Sequence, residues 1–331
     1  MFVMTSDITI GDHRVKPSDV QWQTSASDFA DTCTIRLPMS VYARTDGTTT
    51  KVAGVPNRIT KTAFRKGDKV EVRLGYNGKN TLRFTGFVSR VNLQVPLTID
   101  CEGYSYQLKD KLFTKSYKTT TAKDILKDLI EGTDIELSEY IPNIPLTNVW
   151  FRQAPGLKVL EWFKSECLCR VCFYGNVLYV GASKYAVPKP TRKLRLRWNT
   201  VTDDLTLDNE DEPIELRVVE RDSSGKKCSH NARDRERRKY SNQKDLKVRQ
   251  GLPSELVQKA LAELQSDENY KGYTGTVTCF LEPMFEHGMT AEITDERFPA
   301  RSGKYYVDTV QGSFGQNGGR QQITLTHYGK V

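Results

Sequence analysis

The stretch Phe64-Arg-Lys-Gly67-Asp-Lys-Val70-Glu-Val72 decides the fold, because the chain contains it twice in outline. Its echo is Phe285-Glu-His-Gly288-Met-Thr-Ala291-Glu-Ile293. In both, an aromatic residue and two polar ones lead into a glycine turn, and an apolar/polar alternation follows. Such alternation marks a half-buried strand. The order then continues in step. Thr85-Gly86-Phe87-Val88 to Val91 and Leu97-Thr98-Ile99 follow the first phrase. Ser302-Gly303, Tyr305-Tyr306-Val307 to Val310 and Gln322-Ile323-Thr324-Leu325 follow the second. Three phrases in one order predict a duplicated antiparallel β unit. Gly67 and Gly288 should sit at equivalent turns, where glycine supplies a positive φ.

Working outward, the sequence predicts a mixed β and α/β protein. Its parts are two similar small antiparallel β-barrels, a small α/β domain and one further helix. Residues 1–114 form the first barrel, from short strands and close turns such as Gly75 to Asn80. Within it, 44–62 is rich in Thr, Gly and Lys without apolar periodicity, and reads as a long exposed loop. Residues 115–190 form the α/β domain. Thr121 is an N-cap with Asp124 at N3, Ala122, Ile125, Leu126, Leu129 and Ile130 share a helical face, and Gly132 ends the helix. A second helix starts near Pro155-Gly156, with Val159, Trp162, Phe163 and Cys167 as its stripe, and a hairpin turns at Gly175-Asn176. Residues 191–331 form the second barrel, with a basic segment at 223–249 and a helix at 253–266. Two barrels per chain would let a homotrimer present six similar barrels around one axis.

Composition narrows the function. The chain has 331 residues, enough for two or three domains. A hydrophobic fraction of 37% with 27% charged residues suits a protein with much surface, such as one shell of an assembly. The net charge of +8 leaves nucleic acid, acidic partners and membrane surfaces open. The N-terminus carries Asp7 and no long apolar run, and is not expected to be an export signal. No stretch approaches the apolar length of a membrane-spanning helix. Seven cysteines, an odd number, then read as reduced thiols of a protein made in a cytoplasm.

Catalytic and cofactor signals are missing or weak. Cys167-x-Cys169-x-x-Cys172 lacks a second cysteine pair or a nearby histidine, so these cysteines are expected to be buried small hydrophobes. The glycines of 312–319 lead into a strand, not a helix, and Asn317-Gly318 reads as a hairpin turn. The acidic residues Asp203, Asp204, Asp208, Glu210, Asp211 and Glu212 lack the glycine and final glutamate of a calcium loop. They read as a solvated loop or as an electrostatic partner for a basic surface. No hydrolase motif is present, so no enzyme activity, metal or cofactor is expected.

The ambiguous feature is 223–249, with ten Lys or Arg against three Asp or Glu. Lys226, Lys227, Arg233, Arg235, Arg237, Arg238 and Lys239 are the candidate partner-contact residues. Around the single aromatic Tyr240 they could grip phosphates, dock a protein neighbour or form a solvated loop. The alternative function is therefore a β-rich nucleic-acid-binding protein that uses this segment.

The phrases F-x-x-G-D-x-V-x-V-x-L-G-Y at 64–76, F-T-G-F-V at 84–88 and I-D-C-E-G-Y-S-Y-Q-L-K at 99–109 resemble baseplate hub proteins of contractile phage tails. T-A-K-D-I-L-K-D-L at 121–129, V-L-E-W-F at 159–163 and G-K-Y-Y-V-D-T-V at 303–310 fit as well. This is the late-control-D-like and Mu-like tail hub family, related to the hub part of type VI secretion spike proteins. The resemblance covers roughly 60–330. It implies a trimeric ring that joins a hexameric tail tube to the central spike, with other baseplate proteins around it and DNA only in transit through the channel. The chain ends at Val331, just after the second β unit, so the spike is expected to be a separate protein. The resemblance also implies a place in the virion baseplate, after assembly in the host cytoplasm.

Overall fold

A computed structural model describes residues 3–38, 40–45, 48–53, 63–208, 214–221, 227–231 and 242–329. Among the described residues the first part of the chain is mostly strand up to α1. It runs through β1 (Met4–Ile10), β2 (His13–Val15), β3 (Asp19–Ser25), β4 (Thr32–Leu37), β5 (Ser40–Thr45), β6 (Thr48–Ala53), β7 (Lys69–Tyr76), β8 (Lys79–Asn92) and β9 (Leu97–Glu102). The middle alternates: α1 (Tyr106–Lys109), β10 (Leu112–Thr121), α2 (Ala122–Ile130), β11 (Glu136–Leu137), β12 (Pro145–Pro155), α3 (Gly156–Cys167), β13 (Arg170–Tyr174) and β14 (Val177–Gly181). The last part holds β15 (Thr191–Arg195), β16 (Thr200–Asp208), β17 (Ile214–Arg221), β18 (Lys227–Asn231), β19 (Asn242–Lys247), α4 (Ser254–Glu268), β20 (Gly272–Cys279), β21 (Thr290–Thr294), β22 (Gly303–Gly315) and β23 (Gly318–Thr326).

The β units do not close into barrels. Fifteen strands form one sheet in the order β16-β20-β23-β22-β3-β4-β9-β8-β7-β1-β2-β5-β6, with β21 bridging β15 to β22. Among the described residues no pairing joins the outer strands of either unit to each other. One edge of each unit is spent on the other, through β3 and β22.

Three cores lie along the chain. The first packs the inward residues of β1, β7, β4 and β9, with Ile8, Val70, Val72, Ile35 and Ile99 fully buried. The second packs Val277, Ala291, Ile293, Val307 and Ile323. The third belongs to the α/β part. Thr121 caps α2 by accepting the Asp124 N–H at 3.2 Å, and Ile125, Leu126 and Leu129 are buried. Val159, Leu160 and Phe163 of α3 pack on the same core. Trp162 is only partly buried against it. The hairpin of β13 and β14 turns at Gly175-Asn176, as the sequence predicts.

Several elements depart from expectation. Of residues 44–62, read as a loop, 44–45 and 48–53 belong to the paired strands β5 and β6; 46–47 and 54–62 lie outside the described residues. The basic segment is not all loop, since β18 pairs antiparallel and β19 pairs parallel with β17. Backbone pairing to an existing strand needs no apolar alternation, which is why Asn242–Lys247 carries only Leu246 as an apolar residue. Leu216, Val218, Val257 and Leu261 of β17 and α4 enter the α/β core, not the core of the second β unit. Side chains fasten them: Gln265 Oε1 accepts the Leu216 N–H at 2.6 Å, and Asn269 Oδ1 accepts the Ile214 N–H at 2.7 Å. Asp203, Asp204 and Asp208, read as loop, lie in β16.

Candidate assembly interface

The duplicated phrase folds twice into one local structure. Gly67 has φ +91 and Gly288 φ +83, a region open to glycine at little cost. The Gly67 N–H donates to Val88 O at 2.8 Å, and the Gly288 N–H donates to Val307 O at 2.8 Å. In return Val88 N–H donates to Asp68 O at 2.8 Å, and Val307 N–H to Met289 O at 2.9 Å. The aromatic leads, Phe64 and Phe285, are each 2% exposed. A bulge follows in both. Val88 faces Cys101 and Arg90 faces Asp100, so Ser89 is skipped. Val307 faces Leu325 and Thr309 faces Thr324, so Asp308 is skipped.

The correspondence extends to five strands. β7-β8-β9-β4-β3 in the first unit matches β21-β22-β23-β20-β16 in the second. Across the first, Val91, Ile99, Ile35 and Val20 stand in register. Across the second, Val310, Ile323, Val277 and Asp203 do.

The two units meet edge to edge. β3 pairs antiparallel with β22 from Ser25 opposite Thr309 to Asp19 opposite Gly315. Trp22, 4% exposed, stands opposite Gly312. A Cβ on Gly312 would fall 1.9 Å from the Trp22 ring, so the indole lies flat on bare backbone. Side chains reinforce the pairing. Gln311 Nε2 donates to Gln23 Oε1 at 3.2 Å, and Ser27 Oγ donates to Asp308 Oδ2 at 3.0 Å. Arg83 reaches across to Leu281 O at 2.7 Å and Glu282 at 3.0 Å. Burial lowers the pKa of this guanidinium, and Glu282 offsets part of that.

Over this seam lies a concavity of about 560 Å³. Gln21, Gln23, Thr34, Gln311 and Gln322 line it, with Arg320 as its one charged side chain. Apart from Arg320 it is an uncharged polar wall that crosses both units.

The α/β part docks on both turns through tyrosines. Tyr106 stacks on Phe87 with centroids 5.7 Å apart, and Lys66 lies over its ring. Tyr174 stacks on His287 at 4.9 Å, and Lys189 lies 4.2 Å over its ring. His287 Nε2 is 2.8 Å from Phe173 O, an arrangement in which the ring N–H donates. Burial, and then Lys189, hold the His287 pKa down to about 4.

Two buried carboxyls differ in kind. Asp31 accepts the Ser25 N–H at 3.2 Å, and burial pushes its pKa up to about 8. Asp295 is also buried, which raises its pKa. The N–H of Phe298, then Arg197, outweigh this and hold the carboxyl below the usual range. Arg301 pairs with both Asp295 and Asp203.

Of the residues predicted to contact a partner, Lys226, Arg233, Arg235, Arg237, Arg238 and Lys239 lie outside the described residues. Lys227 opens β18, opposite Arg221. The seam strand β3 went unpredicted, although Val20, Trp22 and Thr24 alternate with polar residues in Asp19–Ser25. Cys167, Cys169 and Cys172 are buried in the α/β core. Burial pushes the Cys167 thiol up to about 12 and Cys172 up to about 11, so both are neutral at pH 7. Among the described residues no group of three or more His, Cys, Asp or Glu side chains is placed to hold a metal.

The same architecture occurs in solved structures over nearly the whole chain. A tail protein from Neisseria meningitidis MC58 superposes with a TM-score of 0.67 at 14% identity, covering 98% of this chain and 96% of that one. The chain has the fold of phage tail proteins. The 43 kDa tail protein of prophage MuSo2 from Shewanella oneidensis gives 0.65 at 13% identity, with 98% of each chain covered. An E. coli component of the type VI secretion system, itself similar to the T4 bacteriophage tail proteins gp27 and gp5, gives 0.56 at 12% identity. There the match covers 98% of this chain and 77% of that one. No protein-family model matches the sequence, and no curated protein matches it. The tail-protein fold is thus carried by structure, at identities where sequence comparison is silent.

Proposed function

We propose that this chain is a structural baseplate hub protein of a contractile phage tail or a related injection machine. Three copies form a ring in which the two β units of each chain alternate, giving a pseudo-sixfold face to the tail tube and a threefold face to the central spike. The observation that carries this is the repeated turn, bulge and five-strand order, joined edge to edge within one chain. An edge-to-edge contact between unlike edges is heterologous. Repeated with rotation, such contacts close a ring. The polar wall over the seam, with Arg320 as its single cation, suits a channel that DNA passes without being held, because phosphate affinity grows with the number of cationic contacts. Other baseplate proteins surround the ring in the virion. The role is geometric and uses no catalysis or cofactor. The basic residues Lys226, Lys227, Arg233, Arg235, Arg237, Arg238 and Lys239 serve a protein neighbour, where charge complementarity sets specificity and encounter rate.

Native mass measurement of the purified protein across micromolar concentrations tests the reading. A homotrimer is expected. Monomer alone at every concentration would contradict it.

A further inference from the structure

Each β unit has two unlike edges, and the seam between units uses one of each. The outer edge of β3, from the first unit, meets the stretch of β22 that follows its bulge, in the second. The corresponding edges are the outer edge of β16, in the second unit, and the stretch of β8 that follows its bulge, in the first. Both are open. β16 pairs with β20 on one side and has no strand on the other among the described residues. The pairing of β8 with β7 ends at Phe87, and Arg90 to Asn92 pair only with β9.

One apolar residue at these edges is an uncovered copy of a sealed one, and two more are exposed beside it. Val310 is 1% exposed at the seam, whereas Val91, its counterpart on β8, is only partly buried. Leu207 of β16 is 50% exposed, and Leu93, just past the end of β8, is 45% exposed. An open strand edge with exposed apolar residues is a template for another strand.

We infer that β16 of one chain pairs antiparallel with the last residues of β8 in a second copy, repeating between chains the seam that β3 and β22 make within one. This rests on the ring reading above and supplies its contact. The register follows from the internal seam. Thr24 faces Val310 there, and Ser25 faces Thr309. The ladders place Leu207 where Thr24 stands and Val91 where Val310 stands. Leu207 therefore faces Val91, Thr206 faces Asn92, and Asp208 faces Arg90. Like unit following unlike, each chain offers one edge of each kind, so the contact passes head to tail around the ring.

Cysteine pairing tests the register. Directly opposed residues of antiparallel strands have Cα atoms about 4.5–5.5 Å apart, inside the range a disulfide spans. The parent is a Cys228→Ser variant, the other six native cysteines being buried. On mild oxidation Val91→Cys with Leu207→Cys in the same chain is expected to give covalent trimer on denaturing gels. Either substitution alone should give none, and a mixture of the two single variants should stop at covalent dimer. Val91→Cys with Asp204→Cys, out of register, should remain uncrosslinked. A native trimer in which the in-register pair fails to link would overturn this seam and leave the trimeric ring standing. In-register linking that runs on beyond three chains would uphold the seam and contradict the trimer. Protein that is monomeric throughout and never links would overturn both.

Discussion

The two β units share a turn, a bulge and a five-strand order, but they differ in what covers each edge. The first unit adds β1 antiparallel on β7, whereas the second adds β15 parallel on β21. After its bulge, β22 is covered by β3, while the matching part of β8 is bare among the described residues. Residue choice follows that cover. Gly312 stands where the indole of Trp22 must lie, and Leu93, at the matching place in the first unit, stays half exposed. Duplication sets the backbone, and edge cover decides which copies may drift in side-chain size.

The sharpest break in the comparison is at that matched pair. Gly312→Leu puts side-chain atoms into the Trp22 ring and should cost about 3 kcal/mol or more, read by urea unfolding. Leu93→Ala should stay within about 0.5 kcal/mol in the isolated chain, because nothing there depends on close packing. Equal effects at the two positions would mean that the seam is not a packed junction.

The buried carboxyls give the next contrast. The Asp31 pKa is raised to about 8, so the folded form holds a proton that the unfolded chain releases near pH 4. Stability contributed by this group is intact below about pH 4 and is lost as pH rises towards 8. Asp31→Asn keeps an acceptor for the Ser25 N–H, and its advantage over the parent should grow by about 4 kcal/mol between pH 5 and pH 8 and then level off. Asp295 runs the other way. Its pKa is depressed, so its contribution is present at neutral pH and lost only as pH falls below the ordinary carboxylate range. Asp295→Asn should therefore cost stability at pH 7 and progressively less in acid. Parallel pH profiles for the two variants would contradict the assignment.

The turns differ less. Gly67→Ala and Gly288→Ala both force an L side chain to positive φ, at about 1 kcal/mol. A Cβ at Gly288 also falls 2.8 Å from the Tyr174 hydroxyl, whereas at Gly67 the nearest atom is 3.9 Å away. Gly288→Ala should be the more damaging by about 1 kcal/mol.

The smallest expected effect on folding is in the basic segment. Reversing Arg233, Arg235, Arg237 and Arg238 to Glu should change chain stability by less than about 1 kcal/mol, the size expected of charges that serve a partner and not the chain's own core. It should instead weaken docking to a tube or spike protein. Normal docking with loss of a tight, salt-sensitive DNA affinity would favour the nucleic-acid alternative.

The repeat was legible because its signals are local. A glycine turn, an aromatic lead and an alternating strand all fall within nine residues, and the Thr121 cap and the stripe of α2 fall within ten. What stayed hidden is set by distant pairing. The partner of β3 lies at the far end of the chain, and no local pattern says that its edge meets β22 and not its own unit. That is also why closed barrels were expected in place of one shared sheet. Ile214 to Val219 reads as a strand and is one, but β18 and β19 beside it were obscured for a related reason: polar residues on an added strand leave no apolar period to read. The same distance hid the seam itself, although Trp22 and Gly312 are each plain in the sequence.

The claim at the centre is that the two units of one chain are successive, near-equivalent members of a ring. End-on electron-microscopy averages of the purified protein test it most directly. The account predicts a closed ring around a central opening, with six similar lobes of which alternate ones are identical. Rings whose two lobes per chain lie at different radii, or particles that never close, would contradict it.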